Sequence, residues 1–104
     1  MQDFRNLKVW EKSHKLTLDV YQATGRFPED ERYGLTSQLR RACVSTPANI
    51  AECCGRKGGA DFARYVNIAA GSASEADYHL LLARDLNYLP DETYKPLFAQ
   101  VSEV

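Results

Sequence analysis

Apolar residues recur every three or four positions along three long segments of the chain. The segments cover residues 4–24, 31–57 and 59–89, and glycine or proline marks each break between them. This spacing is typical of α-helices that bury one face, whereas strands alternate every second residue. A short tail after Pro90 repeats the helical spacing. The pattern predicts an all-α chain.

The second and third segments each carry one apolar face. In the second segment this face comprises Leu35, Leu39, Ala42, Cys43, Thr46, Ile50, Cys53 and Cys54. In the third segment it comprises Phe62, Val66, Ala69, Ala73, Ala76, Leu80 and Ala83. Small residues on both faces let helix axes approach closely, so we expect an antiparallel helical hairpin. The fold class predicted is an antiparallel up-down-up-down four-helix bundle with a short fourth helix.

The first segment carries two apolar stripes where a bundle helix needs one. One stripe is Leu7, Trp10, His14, Leu18 and Tyr21, and the other is Val9, Leu16, Val20 and Ala23. We expect Val9, Leu16 and Val20 to form a hydrophobic face that another copy of the chain covers. The alternative is that this second stripe packs on neighbouring helices of the same chain.

Pro47 lies inside the second predicted helix. It has no N–H for the Cys43 carbonyl, so a nearby side chain or water must supply a donor. A polar stripe runs along the same helix and comprises Gln38, Arg41, Ser45, Asn49, Glu52 and Arg56. One interpretation is a solvated face held by a Glu52–Arg56 ion pair one turn apart. The other is a subunit interface in which these polar groups fix the register of the partner.

Length and charge indicate the number of domains and the candidate binding residues. With 104 residues and 44% hydrophobic content, the chain suits a single domain, residues 1–104, around one core. The formal net charge is −1, and this value does not indicate a nucleic-acid partner. Positive charge is nevertheless concentrated, since residues 31–64 carry six Lys or Arg against three Asp or Glu. The candidate binding residues are Arg40, Arg41, Arg56, Lys57 and Arg64.

Candidate chemistry is sparse. Cys43 and Cys54 lie about 16 Å apart along a helix, so they cannot share a zinc ion, and no CxxC pair is present. His14 and His79 are single and belong to no nucleophile motif. We therefore expect no metal, no cofactor and no enzymatic activity.

The sequence also indicates the cellular location of the protein. Three cysteines, two of them adjacent, and a charged first segment favour a reducing, cytoplasmic location. No apolar run reaches the roughly 18 residues of a membrane span, so we expect no membrane insertion.

Three stretches together resemble a known family: FRNLKVWEKSHKLTLDVYQATGRFP, YGLTSQLRRACVSTPANIAECCGR and DFARYVNIAAGSASEADYHLLLARDLNYL. They resemble the bacterial four-helix bundles encoded in intervening sequences of large-subunit ribosomal RNA genes. The resemblance implies a ring-like homopentamer. A related accessory protein of diversity-generating retroelements binds nucleic acid and a reverse transcriptase, which implies similar partners here.

These observations lead to two functional hypotheses. The first is a non-enzymatic, homo-oligomeric adaptor that binds RNA or DNA, because a ring multiplies a weak basic surface into an avid one. The second is a protein-interaction scaffold that binds no nucleic acid. In the second, the polar stripe joins subunits and the acidic residues between 75 and 92 meet a protein partner.

Overall fold

The computed structural model describes residues 3–56 and 59–104, which form four α-helices and two short 3₁₀ turns. The helices are α1 (Lys8–Thr24), α2 (Leu35–Cys54), α3 (Gly59–Asp85) and α4 (Asp91–Ser102). Neither described stretch contains a strand. Consecutive helices pack on each other and α4 closes back on α1. The predicted four-helix bundle with a short fourth helix is confirmed.

The core lies along the line where the four helices meet. Val20 of α1, Leu39 of α2 and Leu80 of α3 are fully buried, and Leu97 and Val101 of α4 pack against the same cluster. Ala76 and Ala83 of α3 are also buried there, and their small side chains let the helix approach its neighbours closely. Most of the predicted core face of α2 and the second half of that of α3 are confirmed.

The side of α1 that packs on the core is opposite to the side that the sequence predicted. Leu16 and Val20 are buried within their own chain, so the prediction that they form an oligomer face is wrong. Val9 lies on the same side and is 40% exposed only because it lines an open groove. The inner side also contains Ser13 and Thr17, whose hydroxyls bond to backbone carbonyls. Because Ser13 and Thr17 are polar, the stripe of α1 that packs on the core looks less apolar in the sequence than the opposite stripe.

The other stripe of α1 faces outward. Leu18 is 56% exposed and Tyr21 is 44% exposed. Trp10 stacks on His14 with ring centroids 4.8 Å apart. Leu18 and Tyr21 of this outer stripe therefore leave apolar surface exposed, whereas Trp10 packs on Phe4 and Leu7 lines the same groove as Val9.

The carbonyl opposite Pro47 is satisfied by α1. The Thr17 hydroxyl lies 3.0 Å from the Cys43 carbonyl oxygen and 2.8 Å from that of Ser13. Its single proton is shared between these two acceptors. The prediction that a nearby side chain must supply the donor is confirmed, and the contact also ties α1 to α2.

One end of the bundle, which we call the closed end (residues 24–35 and 83–94), is sealed by long-range contacts. Helix α2 begins after Gly34, which has no side chain to cap it, and Glu31 replaces the cap. Its carboxylate accepts the Leu35 N–H at 3.2 Å and the Tyr88 hydroxyl at 2.9 Å. Tyr88 in turn packs on Phe27 with ring centroids 5.5 Å apart.

Helix α3 also stops sharply at the closed end. Asn87 adopts a left-handed conformation with φ 66°, and the Tyr88 N–H reaches back to the Ala83 carbonyl at 2.9 Å. This is the Schellman arrangement that ends many helices. It turns the chain directly into Pro90 and α4.

Candidate functional site

Two arginines converge on one tyrosine at the far end of the α2–α3 hairpin. We call this end the open end (residues 50–56 and 59–66). Arg56 follows the end of α2, while Arg64 and Tyr65 lie in the second turn of α3. The Nη2 atoms of Arg56 and Arg64 donate to the Tyr65 hydroxyl at 3.2 and 3.1 Å. Two cationic groups are therefore held beside the same oxygen atom.

The aromatic ring of Tyr65 orients both guanidinium groups. Their carbon atoms lie 5.3 Å and 4.9 Å from the ring centroid for Arg56 and Arg64 respectively. Cation–π contact of this kind restricts the conformation of a long side chain and leaves its positive charge unneutralised. Among the described residues, only Nη2 of each arginine donates, so the N–H groups at Nε and Nη1 remain available to an anion.

One acid partly balances this cluster. Glu52 accepts from Arg56 at 3.1 Å across one turn, which confirms the predicted ion pair. Tyr65 and then Glu52 raise the pKa of the Arg56 guanidinium above its ordinary value. The guanidinium therefore stays charged at any physiological pH. Two guanidinium groups and one contacting carboxylate leave the Arg56–Arg64–Tyr65 cluster positive, and Asp61 in the first turn of α3 is a second acid at the open end.

An apolar groove of about 470 Å³ adjoins the cluster, and Arg56 forms part of its rim. Ile50 and Cys54 of α2 line one side, and Phe62 and Val66 of α3 line the other. Phe62 and Val66 belong to the predicted core face, yet they are 51% and 45% exposed. They line the open groove together with Val9 of α1 and Val104, so this part of the hairpin is not buried.

The other predicted basic residues do not join this cluster. Arg40 donates to the Thr24 hydroxyl at 2.8 Å and to the Tyr21 carbonyl at 3.3 Å, and it stacks on the Tyr21 ring. It therefore holds the last turn of α1. Arg41 is exposed on α2, roughly 20 Å along the helix from Arg56. Lys57 lies outside the described residues.

The polar stripe of α2 is only partly free. Asn49 donates to the carbonyl and hydroxyl of Ser45 at 2.7 and 3.0 Å. Ser72 of α3 donates to the same Ser45 hydroxyl at 2.7 Å. These contacts join α2 to α3 within one chain. Gln38 and Arg41 are exposed at the other end of the stripe.

The cysteines differ in environment. Cys43 is buried, and burial raises the pKa of its thiol to about 12. Cys53 is buried as well, and its thiol donates to the Phe62 carbonyl at 3.2 Å. Cys54 is partly exposed and lines the groove. No group of His, Cys, Asp and Glu suited to a metal ion occurs among residues 3–56 and 59–104.

Sequence reasoning missed Tyr65 and the groove. Tyr65 is an aromatic residue next to Arg64 and one turn from the start of α3, and this adjacency was the only signal for the cluster. Phe62 and Val66 were placed on the core face of α3, and the spacing of apolar residues does not show which part of such a face the rest of the chain covers. Within residues 3–56 and 59–104, no helix is long and apolar enough to cross a membrane.

The fold agrees with that of known proteins. The model of the 23S rRNA-intervening sequence protein family matches residues 5–104. A solved structure of a protein of unknown function from the S23 ribosomal protein family of Bacteroides thetaiotaomicron VPI-5482 is also similar. It is 28% identical with a TM-score of 0.81, and the match covers 91% of this chain and 89% of that chain. No curated protein matches. The chain belongs to the 23S rRNA-intervening sequence protein family, as its sequence motifs predicted.

Proposed function

We propose that this protein is a non-enzymatic, homo-oligomeric adaptor that binds RNA or DNA through the open end of its bundle. The observation that carries the proposal is the convergence of Arg56 and Arg64 on the Tyr65 hydroxyl. Both Nη2 atoms lie within 3.2 Å of one oxygen, so a single phosphate group can contact both arginines. Arginine suits this role because its planar group binds phosphate oxygens in pairs.

Oligomerisation makes this small patch effective. A pair of arginines binds few phosphates, whereas several copies of the pair on one particle bind the same strand with avidity. The outer stripe of α1 supports self-association, since Leu18 and Tyr21 are large, apolar and exposed. The family resemblance suggests a ring of five subunits. This outer stripe replaces Leu16 and Val20 as the proposed contact between subunits.

Phosphate binding of this kind is salt-dependent and tolerant of sequence. Titration of a labelled oligonucleotide at low and at moderate salt, with solution mass measured in parallel, tests the proposal. We expect Arg64→Ala to weaken binding and to flatten the salt dependence. The logarithmic slope should fall by roughly 0.7–0.9 for each phosphate that the altered subunit no longer neutralises. Arg56→Ala is expected to act in the same direction.

Arg32→Ala is the matched control. Arg32 is an exposed arginine that also stacks on a tyrosine, Tyr33, and pairs with an acid, Glu29, but it lies at the closed end. Its removal is expected to leave binding unchanged. Equal affinity of Arg56→Ala, Arg64→Ala and the unaltered protein contradicts the proposed site. A monomeric mass at high concentration contradicts the oligomer.

A protein scaffold that binds no nucleic acid is the second candidate. The observation in its favour is the exposed face of α3 near the closed end. Tyr78 is 58% exposed there, and Leu81 and Leu86 are 36% and 45% exposed. The acids Glu75 and Asp85 accompany them on the surface. Absence of oligonucleotide binding, together with a protein that copurifies and is released by Tyr78→Ala, favours this candidate.

A further inference from the structure

The groove at the open end and the Arg56–Arg64–Tyr65 cluster form one continuous surface. Arg56 belongs to both, since it bonds to Tyr65 and lines the rim of the groove. A cationic group next to an apolar cleft matches the two halves of a nucleotide, which are a charged phosphate and a flat, largely apolar base. We propose that the groove accepts an unpaired nucleobase while the adjoining phosphate rests on Arg56 and Arg64. This inference rests on the proposed function.

The size and lining of the groove fit a base. Its volume of about 470 Å³ lies within the ~300–1,000 Å³ range of small-molecule sites. Phe62 presents an aromatic ring with half of its surface exposed, and every base has a face that stacks on such a ring. Ile50 and Val66 supply the apolar walls on the two sides.

The buried polar side chains of the groove are already engaged. The Thr46 hydroxyl bonds to the Ala69 carbonyl at 3.4 Å, and the Cys53 thiol bonds to the Phe62 carbonyl at 3.2 Å. The N–H groups that remain available belong to Arg56 at the rim, and the proposal assigns them to the phosphate. The site is therefore expected to select for an unpaired base and not for its identity.

A duplex does not satisfy this surface. Its bases are stacked and paired inside the helix, and only phosphates reach a protein that does not enter a groove of the duplex. A single strand places bases and phosphates on the same surface at the same time. The ligand class is therefore single-stranded RNA or DNA, or an unpaired loop.

Three probes of equal length separate the contributions of base and phosphate. They are a single-stranded DNA, the same strand with abasic sites in place of its bases, and a duplex. We expect the unaltered protein to bind the single strand more tightly than the other two. Phe62→Ala is expected to weaken binding of the single strand about tenfold and to leave the abasic strand and the duplex unchanged.

Companion variants show whether the aromatic ring is responsible. Phe62→Tyr keeps the ring and is expected to retain affinity, whereas Phe62→Leu keeps apolar volume without the ring and is expected to lose most of it. Phe98→Ala removes a phenylalanine of similar exposure, 45%, on α4 and serves as the control. Circular dichroism and thermal melting establish that each variant is folded. Protection of Cys54 from alkylation by the bound single strand gives a second readout in the unaltered protein.

Each outcome decides between the two proposals. Salt-dependent binding of all probes that Phe62→Ala does not change overturns the nucleobase site and leaves the phosphate site standing. No binding of any probe overturns both. A fall in solution mass of Phe62→Ala, with affinity for the single strand per subunit unchanged, shows that a second copy fills the groove and overturns the nucleobase site. A selective loss for the single strand with unchanged mass supports it.

Discussion

The closed and open ends of the bundle are built from the same pair of long helices, yet only one is sealed. At the closed end, Glu31 and Tyr88 join the start of α2 to the α3–α4 turn, and Phe27 fills the space beneath. At the open end, Phe62 and Val66 occupy core positions of α3 but remain about half exposed in the groove. The difference shows that core packing is concentrated at one end of the hairpin, whereas the other end leaves exposed the surface on which the proposed function depends.

The largest expected contrast is in the free energy of unfolding. Leu80→Ala removes a fully buried side chain and is expected to destabilise the protein by about 2–5 kcal/mol. Phe62→Ala removes a larger side chain that is already half exposed, and its expected cost is about 1 kcal/mol or less. Urea unfolding followed by circular dichroism measures both. Equal costs would show that the open end is covered after all.

Cysteine alkylation sharpens the same contrast. Burial raises the pKa of the Cys43 thiol to about 12, so little thiolate forms at pH about 8, where an ordinary thiol is partly ionised. We expect Cys54 to react at least about a hundredfold faster than Cys43, as measured by peptide mass spectrometry. In urea both should react at similar rates. Fast labelling of Cys43 in the folded protein would mean that the core opens readily.

The hydrogen bond from the Thr17 hydroxyl to the Cys43 carbonyl replaces the one that Pro47 cannot donate, and its contribution to stability can be measured. Thr17→Val leaves that buried carbonyl without a donor and is expected to cost about 1–2 kcal/mol. In a Pro47→Ala background the helix supplies its own N–H, so Thr17→Val should cost less there. A double-mutant cycle in urea measures the coupling. Identical costs in both backgrounds would contradict the role assigned to Thr17.

The smallest expected effect concerns the contact between α1 and the last turn of α4. Lys15 donates to Asp19 at 2.7 Å and Gln100 donates to it at 2.9 Å. The hydrogen bond from Lys15, with a further one from Gln100, lowers the pKa of the Asp19 carboxyl, although partial burial opposes this. The ionised carboxylate therefore stabilises the fold above pH about 4, and this contribution is lost as pH falls through the lowered pKa.

Asp19→Asn measures that contribution. Because Asp19 is about one-third exposed, solvent screening limits the expected loss at neutral pH to about 0.5 kcal/mol. The difference from the unaltered protein should shrink as the pH falls through the lowered pKa of Asp19. Urea unfolding at neutral pH and over a series of acidic pH values checks this, and a difference that does not change with pH would assign the effect to packing and not to charge.

The helices and the bundle followed from the sequence because periodicity and breaks are local properties. Pro47 was informative for the same reason, since the chemistry of proline predicts an acceptor that needs a donor. Its donor, Thr17, is contributed by another helix, and no local pattern identifies it. The orientation of α1 was predicted wrongly because the polar residues of its inner face are satisfied by backbone carbonyls, which only a folded chain reveals.

The candidate site was predictable in part. Arg56 and Arg64 were singled out by charge, and the ion pair with Glu52 by its spacing of one turn. Their separation from Arg40 was not visible, because charge counted along a sequence ignores which end of a helix each residue occupies. The groove is lined by residues of α2 and α3 together with Val9 and Val104, and no local pattern in the sequence shows that these residues meet.

The two oxygens of the Glu31 carboxylate link the start of α2 to Tyr88, which lies 57 residues after Glu31 in the chain. One oxygen receives the first amide of α2 and the other receives the Tyr88 hydroxyl, so releasing Tyr88 loosens the group that protects the Leu35 amide. Hydrogen–deuterium exchange at that single amide thus reports on the integrity of a distant turn. It offers a way to follow the closed end while oligonucleotide probes are titrated against the open end.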